Sequence, residues 1–257
     1  MDRGNTRVQK FDSLGNYVLQ FGTGGGGPGQ FSLPFGIAVN STSGAVYVSD
    51  LNNNNVQQFT TLGGYVTGWG GPAPVTDYGQ FNQPGGLALD GSGNLYVADV
   101  YNNRVEIFDS SNNFVTQIGS SAPATGAGNG AFQYPYGVAV DSSGNLFVMD
   151  TDNNRVQKFN ASHGYVGQWG SAGSGAGQFA QSDGIAVDPS GNVYVADTYN
   201  NRIQEFDNSG NFITMWGSAG VGGNEHFEQP MALVVNSSGT TILVSDTNFS
   251  YIQTYGP

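Results

Sequence analysis

Three observations predict an all-β fold, a β-propeller of four-stranded antiparallel blades. The first is a phrase that returns along the chain: "VYVSDLNNNNVQQF" at 46–59, "LYVADVYNNRVEIF" at 95–108, "LFVMDTDNNRVQKF" at 146–159, "VYVADTYNNRIQEF" at 193–206 and a more divergent "ILVSDTNFSYIQTY" at 242–255, with its second half, "DRGNTRVQKF", at 2–11. Its Asp falls at Asp2, Asp50, Asp99, Asp150, Asp197 and Asp246, successive spacings of 48, 49, 51, 47 and 49 residues, the mark of a repeat architecture. The second is that each period contains short runs rich in Val, Ile, Tyr and Phe with period-two alternation, separated by turn signals. The third is a Gly-rich connector closing each period, as in "GTGGGGPGQF", "GGPAPVTDYGQF" and "GSAGSGAGQF".

The period from residue 178, "GQFAQSDGIAVDPSGNVYVADTYNNRIQEFDNSGNFITMWG", gives the elements in order. Strand a is "GIAV" and "DPSGN" turns it into strand b, "VYVAD". "DTYNN" turns the chain again into strand c, "RIQEF", and "DNSGN" leads to strand d, "FITMWG". Tight turns between alternating runs make a meander sheet, and such a sheet covered by neighbours on both faces is a propeller blade. Helical periodicity is absent.

This phrase, with its "GIAVD.SGNVYVADT.NNRIQ.FD..GNF...WG" pattern, resembles the NHL repeat, and the resemblance covers essentially the whole chain. It implies a β-propeller, a family in which six blades are common and whose members include sensor, adhesion, RNA-binding and scaffold modules and a few enzymes. The blades are expected at about 23–70, 71–119, 120–170, 171–217, and 218–257 together with 1–22, forming one domain. Five blades fit the periods better than six, closed by pairing of the N- and C-terminal strands, which would cover edges otherwise open to aggregation.

Composition limits the function. Only 10% of residues are charged, against about 25% in ordinary soluble domains, and 41 are Gly. Seven Lys and Arg in a chain of net charge -12 cannot neutralise a row of phosphates, so nucleic acid is not an expected partner, and neither is an anionic membrane. No apolar run is long enough to insert in a bilayer. The chain has no Cys, which excludes disulfides, thiolate metal sites and a Cys nucleophile. The N-terminus carries no hydrophobic signal segment, and the compartment is open, with an extracellular or cell-surface setting favoured.

The recurring acid and base invite a catalytic or metal reading, but they recur. Asp99, Asp150 and Asp197 are each followed five residues later by Arg104, Arg155 and Arg202, so these pairs read as structural corners, the Asp accepting backbone amides and the Arg offering a bidentate partner. "DTDNN" at 150–154 opens like an oxygen-ligand calcium loop but lacks its Gly and distal Glu. Calcium at Asp150 and Asp152 is therefore the one cofactor to test, and none is required. Two histidines are too few for a three-His zinc site.

A ligand is read where the repeats differ. Just before strand a the blades carry Phe35, Gly85, Tyr136, Asp183 and Met231, with "SD" replacing "P-x" in one of them. The b to c turns add Tyr101, Asp152, Tyr199 and Phe249, and the connectors add Glu225, His226 and Glu228. The ligand-binding face is thus expected at Phe35, Tyr101, Tyr136, Asp183, Tyr199, Met231 and His226. Aromatics beside amides and acids suit a protein, a peptide or a neutral glycan. The expected protein is a monomeric, non-catalytic sensor, adhesion or scaffold module; the alternatives are a lyase or hydrolase at the channel mouth, using Asp183, Glu225, Glu228 and His226, and a multivalent lectin-like propeller.

Overall fold

In a computed structural model the described residues are 1–71, 77–119, 128–220, 226–248 and 250–256. They form two compact units, Met1–Pro123 and Ala124–Pro257.

The first unit opens with an antiparallel pair, β1 (Val8–Phe11) and β2 (Tyr17–Phe21), and a short parallel bridge of β3 (Thr23–Gly24) with β4 (Gln30–Phe31). Blade I follows as β5 (Pro34–Val39), β6 (Val46–Asp50), β7 (Asn55–Phe59) and β8 (Tyr65–Gly70), and blade II as β9 (Pro84–Leu89), β10 (Leu95–Asp99), β11 (Arg104–Phe108) and β12 (Phe114–Gly119). The second unit holds blade III, β13 (Pro135–Val140), β14 (Leu146–Asp150), β15 (Arg155–Phe159) and β16 (Tyr165–Trp169), and blade IV, β17 (Gly184–Val187), β18 (Val193–Asp197), β19 (Arg202–Phe206) and β20 (Phe212–Trp216). A second parallel bridge, β21 (Ser218–Ala219) with β22 (His226–Phe227), leads to a three-stranded sheet of β23 (Pro230–Val235), β24 (Ile242–Asp246) and β25 (Tyr251–Tyr255).

The fold class is the expected one: all-β, a propeller of four-stranded antiparallel blades in the order a-b-c-d. Four blades are complete, and β23–β25 supply three strands of a fifth. In the first unit β1 pairs only with β2, and in the second β25 ends its sheet. Strand pairing between the chain ends, expected to close the fifth blade, is therefore not among the sheets of the described residues.

Alternation holds in the outer strand β16 and fails in the second strands of the four complete blades. β16 alternates half-buried and exposed residues, whereas β6, β10, β14 and β18 are buried at every position. A strand with neighbouring blades against both faces has no solvent side, so polar residues there must find partners inside. The strand-d aromatics do pack between blades: Trp69 meets Phe108, Trp169 meets Phe206 and Trp216 meets Tyr255, at ring-centroid distances of 5.6, 5.9 and 6.0 Å. The connector phenylalanines Phe31, Phe81, Phe132, Phe179 and Phe227 are all fully buried beneath them.

Strand a demands glycine where neighbouring blades meet. A Cβ on Gly184 would lie 2.5 Å from the carbonyl oxygen of Met231, and Cβ atoms on Gly36 and Gly137 would lie as close or closer to those of Gly85 and Asp183. These contacts are with backbone and cannot swing aside. Gly137→Ala is expected to cost about 2–3 kcal/mol by overpacking, whereas Gly167→Ala, with nothing within 4 Å of its Cβ position, should stay within about 0.5 kcal/mol of the parent; urea unfolding of the two variants checks the contrast.

Candidate functional site

Each blade gathers its polar side chains at the corner where strand b turns into strand c. Asp150 shows the full set: its carboxylate accepts from Gln133 N (2.7 Å), Asn153 Nδ2 (2.9 Å), Arg155 Nε (2.7 Å) and Gln157 Nε2 (3.0 Å). Arg155 then reaches the connector, donating from Nη2 to the carbonyls of Gly128 and Ala131 and from Nη1 to Gln168 on strand d. One ion pair thereby ties the entry to strand a, the end of b, the start of c and the face of d. Asp99 with Arg104 and Asp197 with Arg202 repeat it at 2.7 Å, and all three pairs are buried.

The two asparagines of the "NN" turn divide the work. The first, Asn102, Asn153 or Asn200, donates to the corner Asp. The second, Asn54, Asn103, Asn154 or Asn201, takes a left-handed backbone with φ between 50° and 54°, a conformation Asn adopts more readily than most residues. Its side chain can also bridge onward: Asn54 Oδ1 accepts from Gln83 N, Asn154 Oδ1 from Gln181 N and Asn201 Oδ1 from Gln229 N, each on the strand-a entry of the following sheet. Neither this bridge nor the strand-c Gln was read from the sequence; their recurrence in most copies of the phrase was the available signal.

The expected ligand face is partly assembled. Tyr101 N donates to Asn82 O, Asp152 N to Gln133 O and Tyr199 N to Ala180 O, so each b to c turn lies against its own blade's strand-a entry. Tyr101 is 45% and Tyr199 58% exposed. In the second unit the glycine contacts set the strand-a entries of successive sheets side by side, which makes a row of Tyr136, Asp183 and Met231, each half-buried. In the first unit Phe35 is half-buried beneath the Arg3 guanidinium, whose carbon lies 5.0 Å from the ring centroid. The "SD" departure is wired into the scaffold: Ser182 Oγ donates to Asp197, and Ser182 O accepts from Thr151 of the preceding blade.

Other candidates are placed elsewhere. His226 lies in the connector bridge with Nδ1 3.1 Å from Ser218 Oγ, and its carbonyl accepts from Gln253. Glu225 and Phe249 lie outside the described residues. Asp150 has its oxygens engaged by the corner donors, and Asp152 has its carboxyl raised above the usual range by burial and by the charge of Asp150. Among the described residues no three or more metal-ligating side chains gather.

The NHL repeat model matches residues 31–59, 81–108, 132–159 and 180–206, from each connector Phe to the end of strand c. This is an NHL-repeat β-propeller. Solved structures similar to the NHL chain include a streptogramin B lyase (TM-score 0.60, 16% identity, 87% of this chain and 68% of that one). A catalytically inactive virginiamycin B lyase from Staphylococcus aureus with quinupristin is also similar (0.64, 14%, 99% and 78%), as is Kuenenia stuttgartiensis hydrazine synthase (0.65, 11%, 99% and 90%). At these identities the likeness is one of fold. No curated protein sequence matches.

One NHL blade breaks the corner rule. Gln57, Gln157, Gln204 and Gln253 occupy the same place on strand c, but blade II has Glu106 there. All four Gln donate to a connector carbonyl, and Gln157 and Gln204 also donate to the corner Asp; an ionised Glu can do neither. Glu106 is fully buried, accepts from Gly79 N through Oε2, and has Oε1 3.2 Å from Arg104 Nη2 without a hydrogen bond. Burial pushes its carboxyl up to about 7, with Arg104 opposing and the Asp99 charge adding.

Two outcomes follow from these corners. Arg155→Met strands a buried carboxylate and should cost about 3–5 kcal/mol, measurable by urea unfolding. For Glu106 the folded pKa of about 7 exceeds the unfolded 4.5, so the folded state binds the extra proton and stability falls as pH rises between these values. Glu106→Gln should therefore change little at pH 4.5 and stabilise by up to about 3 kcal/mol at pH 8; a gain that does not grow with pH refutes the assignment.

Proposed function

We propose that this NHL propeller is a non-catalytic binding module for a protein, peptide or neutral glycan, suited to an extracellular or cell-surface setting. What supports the reading is a division between repeat positions. The ionisable groups that recur are spent on the corners, where Asp99, Asp150 and Asp197 are each buried against a guanidinium and amides. The positions that vary from blade to blade, Tyr136, Asp183 and Met231, stand in one row, and the exposed Tyr199 lies in the same blade as Asp183. A surface of aromatic faces with one carboxylate offers stacking and an acceptor with little positive charge.

The test is a ligand selected from peptide and neutral-glycan libraries on the intact chain, followed by Tyr136→Ala, Asp183→Asn and Tyr199→Ala. Each substitution should weaken binding by at least about tenfold, the scale of one good interfacial contact, while the melting temperature holds. Unchanged affinity across the set refutes the face. Turnover of the ligand that Asp183→Asn abolishes would instead make this row the centre of a lyase or hydrolase.

A further inference from the structure

Blade I carries an arginine corner without its arginine. Asp50 is fully buried at the end of β6, as in the other complete blades, but Asn55 stands where Arg104, Arg155 and Arg202 stand. The strand-d partner is altered as well. Gln117 and Gln168 accept from the guanidinium and Met215 contacts it in blade IV, whereas the corresponding residue of β8, paired with Gln57, is Gly68. Both side chains that fill this part of the other corners are thus cut back in the same blade.

The connector side of the corner matches blade IV in four bonds, while Asp50 accepts from Ser32 N, Leu33 N, Asn52 N, Asn53 N and Asn53 Nδ2 where Asp197 accepts from Arg202 and Gln204. Gln57 Nε2 donates to Gln30 O as Gln204 Nε2 does to Gln178 O, and Gly29 N donates to Gln57 Oε1 as Gly177 N does to Gln204 Oε1. Gly27 N donates to Gln30 Oε1 as Gly175 N does to Gln178 Oε1, and Asn53 Nδ2 donates to Gly25 O as Asn200 Nδ2 does to Gly173 O. Gly26, Gly27 and Gln30 therefore hold the positions of Ser174, Gly175 and Gln178, the three carbonyls that accept from the Arg202 guanidinium.

Asn55 Oδ1, at the head of this set, is buried and accepts no hydrogen bond among the described residues. The corner also opens outward. Asn55 is half-buried where the three arginines are buried, and Gly68 is exposed. The Tyr65 hydroxyl lies 3.3 Å from where a Cβ on Gly68 would sit, so an exposed aromatic side chain borders the opening.

We infer that blade I binds a guanidinium group supplied in trans, an arginine side chain of a peptide or protein partner, entering past Gly68 and Tyr65 to meet Asn55 Oδ1 and the connector carbonyls beside the amide-held Asp50. A planar cation with five donors matches an amide oxygen and three carbonyls set for a guanidinium better than an ammonium does, and Tyr65 offers a face for stacking. The net charge of -12 favours approach of such a partner. This site lies in the first unit, and its argument does not depend on the Tyr136, Asp183 and Met231 row.

The experiment is titration calorimetry with thermal shift on the intact chain, using methylguanidinium and N-acetyl-arginine amide at low millimolar concentration, with methylammonium as the control. A saturable response to the two guanidinium compounds, at least tenfold stronger than to methylammonium, is expected. Asn55→Arg should raise the melting temperature and abolish the response, and Gly68→Gln, which refills the opening and keeps the blade if Asn55→Arg does not fold, should weaken it at least tenfold. No saturable response, an equal response to methylammonium, or an unchanged response in Gly68→Gln overturns the site.

Discussion

The blades are organised around a buried carboxylate that cannot be left alone. Burying an unpaired charge costs several kcal/mol, and a buried pair breaks even only when geometry is good and the remaining donors and acceptors are satisfied. Asp150 meets that condition with two amide side chains, a backbone amide and a guanidinium, and Arg155 meets it with two connector carbonyls and Gln168. Because the strand-b residues are buried on both faces, this network can form only if the connector, the turn and strands b, c and d are all in place. The corner therefore acts as a register device as much as a source of stability: a one-residue slip of strand c would turn the guanidinium away from its Asp.

Where the pattern relaxes, the surrounding residues show why. Asp50 has no arginine, yet it accepts from Ser32 N, Leu33 N, Asn52 N, Asn53 N and Asn53 Nδ2, a set of amides that holds a carboxylate without a cation. Glu106 is the opposite case, an extra acid placed in a corner that already has its anion. These two departures carry the individuality of their blades, and both lie within a motif that otherwise repeats.

Much of this was legible in the sequence. The period, the four strands and the turns followed from the phrase around Asp197 and Arg202, and the Asp to Arg spacing was read as a corner because it recurred. The strand-d tryptophans were read as packing between blades, and their rings do so. What escaped was of two kinds. Side-chain amides such as Asn154 and Gln157 look like generic turn and strand residues, since their partners are backbone groups 26 or 27 residues away that no local pattern announces. The pairing of the chain ends was inferred from counting strands, and counting cannot show which edge a strand takes. The variable row was only half legible: divergence at Tyr136, Asp183 and Met231 was visible, but their adjacency rests on glycines that admit a neighbour's carbonyl.

The reach of the corner bonds bears on how the chain acquires its fold. From Arg104, Arg155 and Arg202 to their connector carbonyls the separation is 24 to 28 residues. A blade can therefore fasten itself using only residues from its own stretch of chain, at a modest loop-closure cost, before the next blade exists. On a ribosome such a module can condense as soon as its strands emerge, and the partly synthesised chain exposes one unfinished blade at a time. That keeps the non-local pairing that slows many β proteins down to the step of laying each finished blade on the one before it.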